Sequence, residues 1–333
     1  MLSLLINNLD MKYVAFAGVL FAFFVTGICL KIFGKYLPLD GGRDFAVDGK
    51  KSQGKPRGAG LIFILVFALS VLIFVPLQRE ILVYIALVVA AMFTGYLDDA
   101  AKTPWGELKK GLLDLLLAVL VALNYLVHNP ADIEFMLFNV TVSIPVVVFA
   151  ILVVILVWAS INVTNCADGV DGLSGTLTII TLLTIYGIFK IKDNLGNESY
   201  LILLFCVCVL GYLWYNATPS RMLMGDAGSR AMGIFIAIAI LKTGSPVLYI
   251  PVAIVLILDG GLGLVKVALL RFLKIRIMKN IRTPLHDHTR KNMGWSGSQT
   301  VVRFAIIQII ISVATLYLIA WNTCKYKGLV IKW

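Results

Sequence analysis

The chain has 333 residues, of which 60% are hydrophobic and 14% are charged, and its formal net charge at pH 7 is +11. A water-soluble protein of this length cannot bury that much apolar surface, which excludes a soluble globular domain. The apolar residues form unbroken runs rather than the alternating pattern of a transmembrane barrel, which predicts an all-α polytopic membrane protein in a lipid bilayer. Basic loops at one membrane face account for the positive charge, so we expect no nucleic-acid partner.

Ten apolar runs approach the length of about 20 residues that a membrane-spanning helix needs. They cover about residues 12–34, 58–77, 80–97, 111–128, 144–162, 173–189, 200–216, 229–243, 246–270 and 301–321. These runs predict about ten transmembrane helices in a single integral membrane domain, residues 1–333.

Two segments depart from this pattern. The ninth run is expected to break near Asp259, Gly260 and Gly261, because two glycines weaken a helix and a carboxylate inside a span requires a partner. The segment 132–143 is too short to span a membrane, and its β-branched and aromatic residues predict a small external hairpin or an interfacial segment.

The basic residues alternate between the loops in a way that predicts topology. Loops 35–57, 98–110, 217–228 and 271–300 carry most of the Lys and Arg residues, and such loops lie in the cytoplasm. Four polar segments lie in or beside loops on this same face. They are Asp98-Asp99, the run 162–172 (NVTNCADGVDG), the turn 225–229 (GDAGS) and His286-Asp287-His288.

The acidic segments favour a divalent metal and a phosphorylated substrate. Adjacent carboxylates such as Asp98 and Asp99 repel each other unless a cation lies nearby, and Mg²⁺ prefers carboxylates together with phosphate oxygens. The glycines around Asp226 expose backbone N–H groups at a helix N-terminus, where an anion binds, although a bare phosphate would be repelled by the carboxylate. A solvated helix end and a simple capping turn are the structural alternatives.

The run 162–172 has the most specific spacing. Asn162, Asn165 and Asp168 are three residues apart and share a helical face, and their oxygens suit a hard cation or a nucleobase edge. A polar loop with two Asp-Gly turns is the alternative. The histidines after Pro284 suit acid–base chemistry or phosphate binding, unless they form an exposed polar turn, and the oxygen-rich surroundings favour Mg²⁺ over zinc.

Four strings carry a family resemblance. They are GYLDDA at 95–100, NVTNCADGVDGLSG at 162–175, MGDAGSRAMG at 224–233 and TPLHDH at 283–288. In this order, and over nearly the whole chain, they resemble the polyprenyl-phosphate N-acetylhexosamine-1-phosphate transferases. Within that superfamily, the stretch 283–304 is most similar to the phospho-N-acetylmuramoyl-pentapeptide transferase family, and GKPRGAG at 54–60 aligns with its usual GTPTMGG.

The resemblance implies a catalytic domain in the bacterial plasma membrane with its active site on the cytoplasmic face. The implied reaction transfers phospho-N-acetylmuramoyl-pentapeptide from UDP-MurNAc-pentapeptide to undecaprenyl phosphate, with Mg²⁺ and release of UMP. Catalytic roles are implied for Asp98, Asp99, Asp226 and His286, and metal ligation for Asp226 and Asn216. Substrate contacts are implied for Lys51, Lys102, Lys109, Asn162, Asn165, Asp168, Asp171, Gly225 and His288. A homodimer is a further expectation.

Three departures from the family pattern stand out. Asp287 replaces the central His of a triplet, Lys55 and Arg57 replace two threonines, and Leu223 stands where the family commonly has a Phe that stacks on uracil.

The resemblance leaves alternatives open. In one route the lipid phosphate attacks the sugar-linked phosphorus directly, and in the other the reaction takes two steps through an aspartyl-phosphate. Either Asp98 or Asp99 is the base. The alternative enzyme transfers N-acetylglucosamine-1-phosphate from UDP-N-acetylglucosamine for teichoic acid or polysaccharide initiation, although the histidine segment favours the muramoyl-pentapeptide substrate. An ion-coupled transporter is the alternative from another class, and it predicts acids in the middle of the membrane rather than at one face.

Overall fold

The computed structural model describes residues 11–42, 49–101 and 103–326, so the predicted phosphate contact of Lys102 lies outside the described residues. The described chain is helical apart from one two-stranded hairpin. The helices, numbered in chain order, are α1 (Met11–Phe33), α2 (Gly60–Phe74), α3 (Arg79–Asp99), α4 (Glu107–His128), α5 (Val146–Cys166), α6 (Leu173–Ile191), α7 (Asn197–Asn216), α8 (Gly225–Lys242), α9 (Pro246–Val252), α10 (Ile254–Leu273), α11 (Leu285–Asn292) and α12 (Gly297–Tyr326).

The described helices confirm a multi-span membrane protein. Seven are long and apolar enough to cross a membrane, and the total is eight when the bent pair α9 and α10 is counted as one broken span. The predicted count of ten is not confirmed. Helix α2 has only 15 residues, fewer than the about 20 that a span needs. Helix α8 has 18 residues and carries three charged side chains, at Asp226, Arg230 and Lys242.

The predicted hairpin within residues 132–143 is confirmed. Strands β1 (Asp132–Phe135) and β2 (Val140–Ser143) are antiparallel, and Asp132 lies opposite Ser143. The hairpin is fastened to the ends of α6 and α8, because Lys192 Nζ lies 2.5 Å from a carboxylate oxygen of Glu134 and also donates to the Thr243 carbonyl.

Helix α8 is the centre of the bundle, since every residue from Gly225 to Leu241 is buried. Its neighbours approach through glycines. A Cβ at Gly60 of α2 would lie 2.0 Å from the backbone N of Gly228, and one at Gly95 of α3 would lie 2.3 Å from the backbone O of Asp226. Side chains at these positions would push α2 and α3 away, so the glycines bring the end of α3 against the start of α8.

The predicted helix break lies at a different residue. The chain bends by 73° between α9 and α10, at Ala253, whereas Ile257–Gly261 forms a π-helical turn. The side-chain amide of Gln308 from α12 fills the gap: its Oε1 accepts the Val255 N–H at 3.0 Å and its Nε2 donates to the Pro251 carbonyl at 3.1 Å. Because these two backbone groups would bond each other in a continuous helix, Gln308 replaces the missing bond.

We expect Gln308→Met to destabilise the protein. The variant keeps the side-chain length but leaves a buried N–H and a buried carbonyl without partners, at a cost of about 1–3 kcal/mol each. The thermal midpoint of purified protein in detergent measures the loss. Val302→Met, an exposed change near the start of the same helix, is the control. An unchanged midpoint in Gln308→Met would show that the amide does not maintain the bend.

Candidate active site

The four polar segments meet at one end of the bundle, away from the hairpin. The backbone N–H groups of Asp226 and Ala227 donate to the Asp99 carboxylate, each at 3.1 Å. Asn165 Nδ2 donates to Asp226 Oδ2 at 3.3 Å, which brings the end of α5 to the same point. His286 packs against the loop after α5, where a Cβ at Gly169 would lie 2.2 Å from the imidazole Nε2.

Asp99 caps the N-terminus of α8. Its side chain is fully buried, and besides the two backbone N–H groups it accepts Nε–H of Arg57 at 2.8 Å. Gly225 makes this approach possible, because its φ is +69° and a Cβ there would lie 2.1 Å from Asp99 Oδ2. A carboxylate at a helix N-terminus contributes about 0.3–1 kcal/mol, and more when partly buried. The contacts of Asp99 therefore fix where α8 begins.

Asp226 has a cation beside each oxygen. Its Oδ1 lies 3.5 Å from Arg57 Nη2, and its Oδ2 lies 3.1 Å from Lys110 Nζ. Lys110 also forms an ion pair with Asp98, whose Oδ1 accepts the backbone N–H of Trp105 at 2.7 Å. Three buried carboxylates thus share two cations, which leaves this cluster with a net negative charge.

Arg57 remains charged in this environment. Burial alone lowers the pKa of its guanidinium, but the carboxylates of Asp99, Asp226 and Asp40 outweigh that effect and hold the pKa above its ordinary value.

The cluster suits a hard cation in its donor chemistry. Among the described residues, no three His, Cys, Asp or Glu side chains already converge as a metal site. However, the Lys110 ammonium lies between the carboxylates of Asp98 and Asp226, and the Asn165 amide adjoins Asp226. Carboxylate and amide oxygens around a shared positive charge are the groups that Mg²⁺ takes as ligands.

Asn216, the other expected metal ligand, is engaged with the backbone. Its Oδ1 accepts the Gly172 N–H at 2.8 Å and its Nδ2 donates to the Met222 carbonyl at 2.9 Å. These bonds join the loop after α5 to the segment before α8. They favour a structural role for Asn216 over the predicted metal ligation.

A cavity of about 660 Å³ opens beside the cluster. Four of the predicted substrate-binding residues line it, namely Lys51, Asp168, Asp171 and Gly225. Three further basic residues also line it, namely Lys55, Arg57 and Arg290, which belong to the two loops whose basic residues were expected to suit a polyanion. The cavity therefore offers several cations to a polyanionic ligand.

The Asp171 side of the cavity is ordered by the segment before α8. Asp171 Oδ2 accepts the Ser220 N–H at 3.1 Å, and Lys55 Nζ donates to Ser220 Oγ at 2.9 Å. Leu223 lines the cavity as well, so an aliphatic side chain stands where the family commonly has Phe.

A second buried ion pair lies next to the cluster, between α8 and α4. Arg230 of α8 pairs with Asp114 of α4, and its Nη2 also donates to the Lys110 carbonyl at 3.3 Å. Asn162 donates to the Trp158 carbonyl at 2.8 Å and to Asp114 at 3.4 Å. Asn162 thus contacts this supporting pair rather than the cavity.

Asp259 has the partner that its position requires. Its Oδ1 accepts the backbone N–H of His286 at 2.7 Å, and its Oδ2 lies 2.8 Å from His286 Nδ1. Because an ionised carboxylate only accepts hydrogen bonds, Nδ1 carries the hydrogen and Nε2 faces Gly169. His286 is buried against the loop that carries Asp168 and Asp171, and in this structure its position is fixed by Asp259.

Two predicted substrate contacts lie elsewhere. Lys109 is exposed, and its Nζ lies 3.3 Å from the centre of the Trp105 ring, while the next residue, Lys110, enters the cluster. His288 Nδ1 accepts the backbone N–H of Arg282 at 3.3 Å, in an exposed part of the loop. The predicted phosphate contact of Lys109 stays a prediction, whereas the lysine that pairs with the clustered carboxylates is Lys110.

Comparison with known proteins agrees with this geometry. Residues 81–244 match the family model described as glycosyl transferase family 4. The chain is 40% identical over 312 residues to the phospho-N-acetylmuramoyl-pentapeptide-transferase of Treponema pallidum strain Nichols, covering 88% of this chain and 86% of the relative. It is 30% identical over 327 residues to the Rickettsia felis protein of the same name, covering 86% of each.

The chain belongs to the phospho-N-acetylmuramoyl-pentapeptide-transferase family. It is accordingly a phosphosugar transferase. The motifs quoted for the family, at Asp98-Asp99, 162–172 and 225–229, supply the clustered residues. Outside those motifs, sequence reasoning assigned no site role to Lys110, Asp114 or Arg230, and it expected a partner for Asp259 without naming one. Asp114, Arg230 and Asp259 are charged residues within apolar runs, the signal that points to a buried partner.

Two adjacent lysines provide a matched pair of variants. Lys110→Gln removes the ammonium that Asp98 and Asp226 share, so we expect the rate of phosphosugar transfer to fall roughly 10- to 100-fold, in line with a charged hydrogen bond of about 1.5–3 kcal/mol. Lys109→Gln removes an exposed contact with Trp105 and is expected to stay within about twofold. A larger loss in Lys109→Gln than in Lys110→Gln would contradict the assignment.

The Asp259 pair generates a second prediction. Asp259→Asn keeps an acceptor for the His286 N–H but presents an amide N–H to Nδ1, which disfavours the present tautomer. We expect at least a roughly tenfold lower turnover with a small change in thermal midpoint. Asp132→Asn in the hairpin is the control. Wild-type turnover in Asp259→Asn would rule out a role for the tautomer.

Proposed function

We propose that this protein transfers phospho-N-acetylmuramoyl-pentapeptide from UDP-MurNAc-pentapeptide to undecaprenyl phosphate. The products are UMP and the first lipid intermediate of peptidoglycan synthesis. The observation that carries the proposal is the cavity beside the Asp98, Asp99 and Asp226 cluster, which four basic side chains line. The chain is also 40% identical over 312 residues to a relative named phospho-N-acetylmuramoyl-pentapeptide-transferase.

Phosphoryl transfer depends on positioning and charge neutralisation more than on covalent chemistry. Lys51, Lys55 and Arg57 line one wall of the cavity and receive the diphosphate of the nucleotide substrate. Asp168 and Asp171, on the loop after α5, contact the nucleoside or the diphosphate. Together these groups hold the reacting phosphorus beside the acidic cluster.

Mg²⁺ is part of this proposal. When bound, it supplies positive charge to the diphosphate oxygens as UMP leaves. Asp226 and Asp98 are the residues that would hold it, because their carboxylates already share one cation, and Asn165 adjoins Asp226. Asp99 is excluded from this role by its bonds to Arg57 and to the start of α8.

The contacts of the carboxylates favour direct attack by the lipid phosphate. A phosphate monoester has its second pKa near ~6 and is largely dianionic at neutral pH, so it needs little help from a base. Asp99 has a fully buried side chain whose oxygens accept three hydrogen bonds, so a phosphoenzyme at Asp99 would disrupt the contacts that cap α8. Asp98, paired with Lys110, orients the attacking phosphate.

The location follows from the charge of the loops. The cavity lies at the end of the bundle that carries loops 35–57 and 271–300, which are rich in Lys and Arg. The positive-inside rule assigns this end to the cytoplasm of a bacterial cell, with the spans in the plasma membrane. A homodimer stays a prediction.

Release of UMP by purified protein with undecaprenyl phosphate tests the function. We expect UMP from UDP-MurNAc-pentapeptide at a rate at least ~100-fold above that from UDP-N-acetylglucosamine, because the histidine segment matches the family with the former substrate. Omission of the lipid should abolish release and leave no phosphosugar on the protein. Release from UDP-N-acetylglucosamine alone would establish the alternative transferase, and a trapped phosphosugar-enzyme would overturn direct attack.

A further inference from the structure

Arg57 is anchored by its backbone at the edge of the cavity. Its N–H donates to the Pro38 carbonyl at 2.8 Å, and it forms a β-bridge with Leu223, just before α8. The neighbouring bonds from Leu223 to Pro56 and from Ala59 to Leu223 continue this pairing. The side chain therefore projects from a fixed point, with 21% of its surface exposed at the cavity.

The Arg57 guanidinium contacts two carboxylates of the cluster, those of Asp99 and Asp226. It donates to Asp99 Oδ1 at 2.8 Å and lies 3.5 Å from Asp226 Oδ1. Since Lys110 is 3.1 Å from the other oxygen of Asp226, both oxygens of this carboxylate face a positive charge of the protein itself. A divalent ion that binds Asp226 must compete with these cations.

Arg57 is better placed than Lys110 to change partners. Lys110 is held by Asp98 as well as Asp226, whereas the Arg57 contact with Asp226 is the longer of its two and the side chain borders open space. A guanidinium binds phosphate oxygens in a bidentate way, so an incoming diphosphate offers it stronger bonds than the 3.5 Å contact it has now.

We propose that Arg57 couples ion binding to nucleotide binding. With the cavity empty, its charge lowers the affinity of Asp226 for a divalent ion. When a nucleoside diphosphate enters, the guanidinium turns to the diphosphate and Asp226 is released to the ion. Each ligand then raises the affinity for the other by the same factor, as linkage requires. This inference rests on the proposed metal-assisted function.

Lys55 offers a matched control for the charge. It lines the same cavity, but it bonds Ser220 and lies 4.0 Å from Asp171, away from Asp226. Its removal therefore lowers the positive potential at the cavity without freeing Asp226.

Binding of Mn²⁺ to the purified full-length protein, measured by the electron paramagnetic resonance of free Mn²⁺ with and without UDP, tests the coupling. In the wild type we expect saturating UDP to tighten Mn²⁺ binding roughly tenfold. In Arg57→Gln we expect Mn²⁺ binding without UDP to be roughly tenfold tighter than in the wild type, and the further tightening by UDP to be clearly smaller than in the wild type. Lys55→Gln should weaken UDP binding and leave Mn²⁺ binding without UDP unchanged.

The outcomes separate this inference from the proposed function. Mn²⁺ binding in Arg57→Gln that equals or falls below the wild type without UDP overturns the coupling. Arg57→Thr is a second neutral variant if Arg57→Gln fails to fold, and thermal midpoints verify folding. Failure of the wild type to bind Mn²⁺ with or without UDP would instead count against the metal in the proposed function, and the coupling would fall with it.

Discussion

The hydrogen bonds between the Asp99 carboxylate and the start of α8 set the position of most other groups in the site. They place the last residue of α3 against the first turn of a helix that is buried on all sides. The arrangement requires the glycines at 95 and 225, because a side chain at either would overlap backbone or carboxylate atoms. This position brings Asp226 next to Arg57 and Lys110. The close packing of α3 against α8 therefore determines which charged groups come together in the cluster.

The cluster is supported by a buried ion pair rather than by apolar packing. Arg230 and Asp114 are 1% and 3% exposed in their side chains, and isolated charges there would cost several kcal/mol. Their pairing, together with the bond from Arg230 to the Lys110 carbonyl, fixes the first turns of α4 beside α8. Such a pair contributes little net stability, but it joins α4 to α8 at the turn where Lys110, and not Lys109, reaches Asp226.

The sequence specified the apolar runs, the hairpin and the gathering of the four polar segments, because each of these follows from local composition or from loop parity. The sequence did not predict the contacts between elements that are distant along the chain. The choice between Lys109 and Lys110 depends on the rotation of α4, which two adjacent lysines do not reveal. The bend lies at Ala253 because of Gln308, a residue 55 positions away whose amide is drawn into the backbone of another helix.

The broken span connects the membrane interior with the cavity through a continuous series of contacts. Gln308 sets the bend, and the π-helical turn that follows presents Asp259 toward α11. Asp259 orients His286, whose ring packs on Gly169, and the loop at Gly169 carries the acids that line the cavity. The π turn adds one residue to a turn of the helix and so changes the direction of the side chains that follow. In this turn the Asp259 carboxylate faces inward. The irregular backbone of the ninth run therefore positions Asp259, which supports the cavity loop through His286.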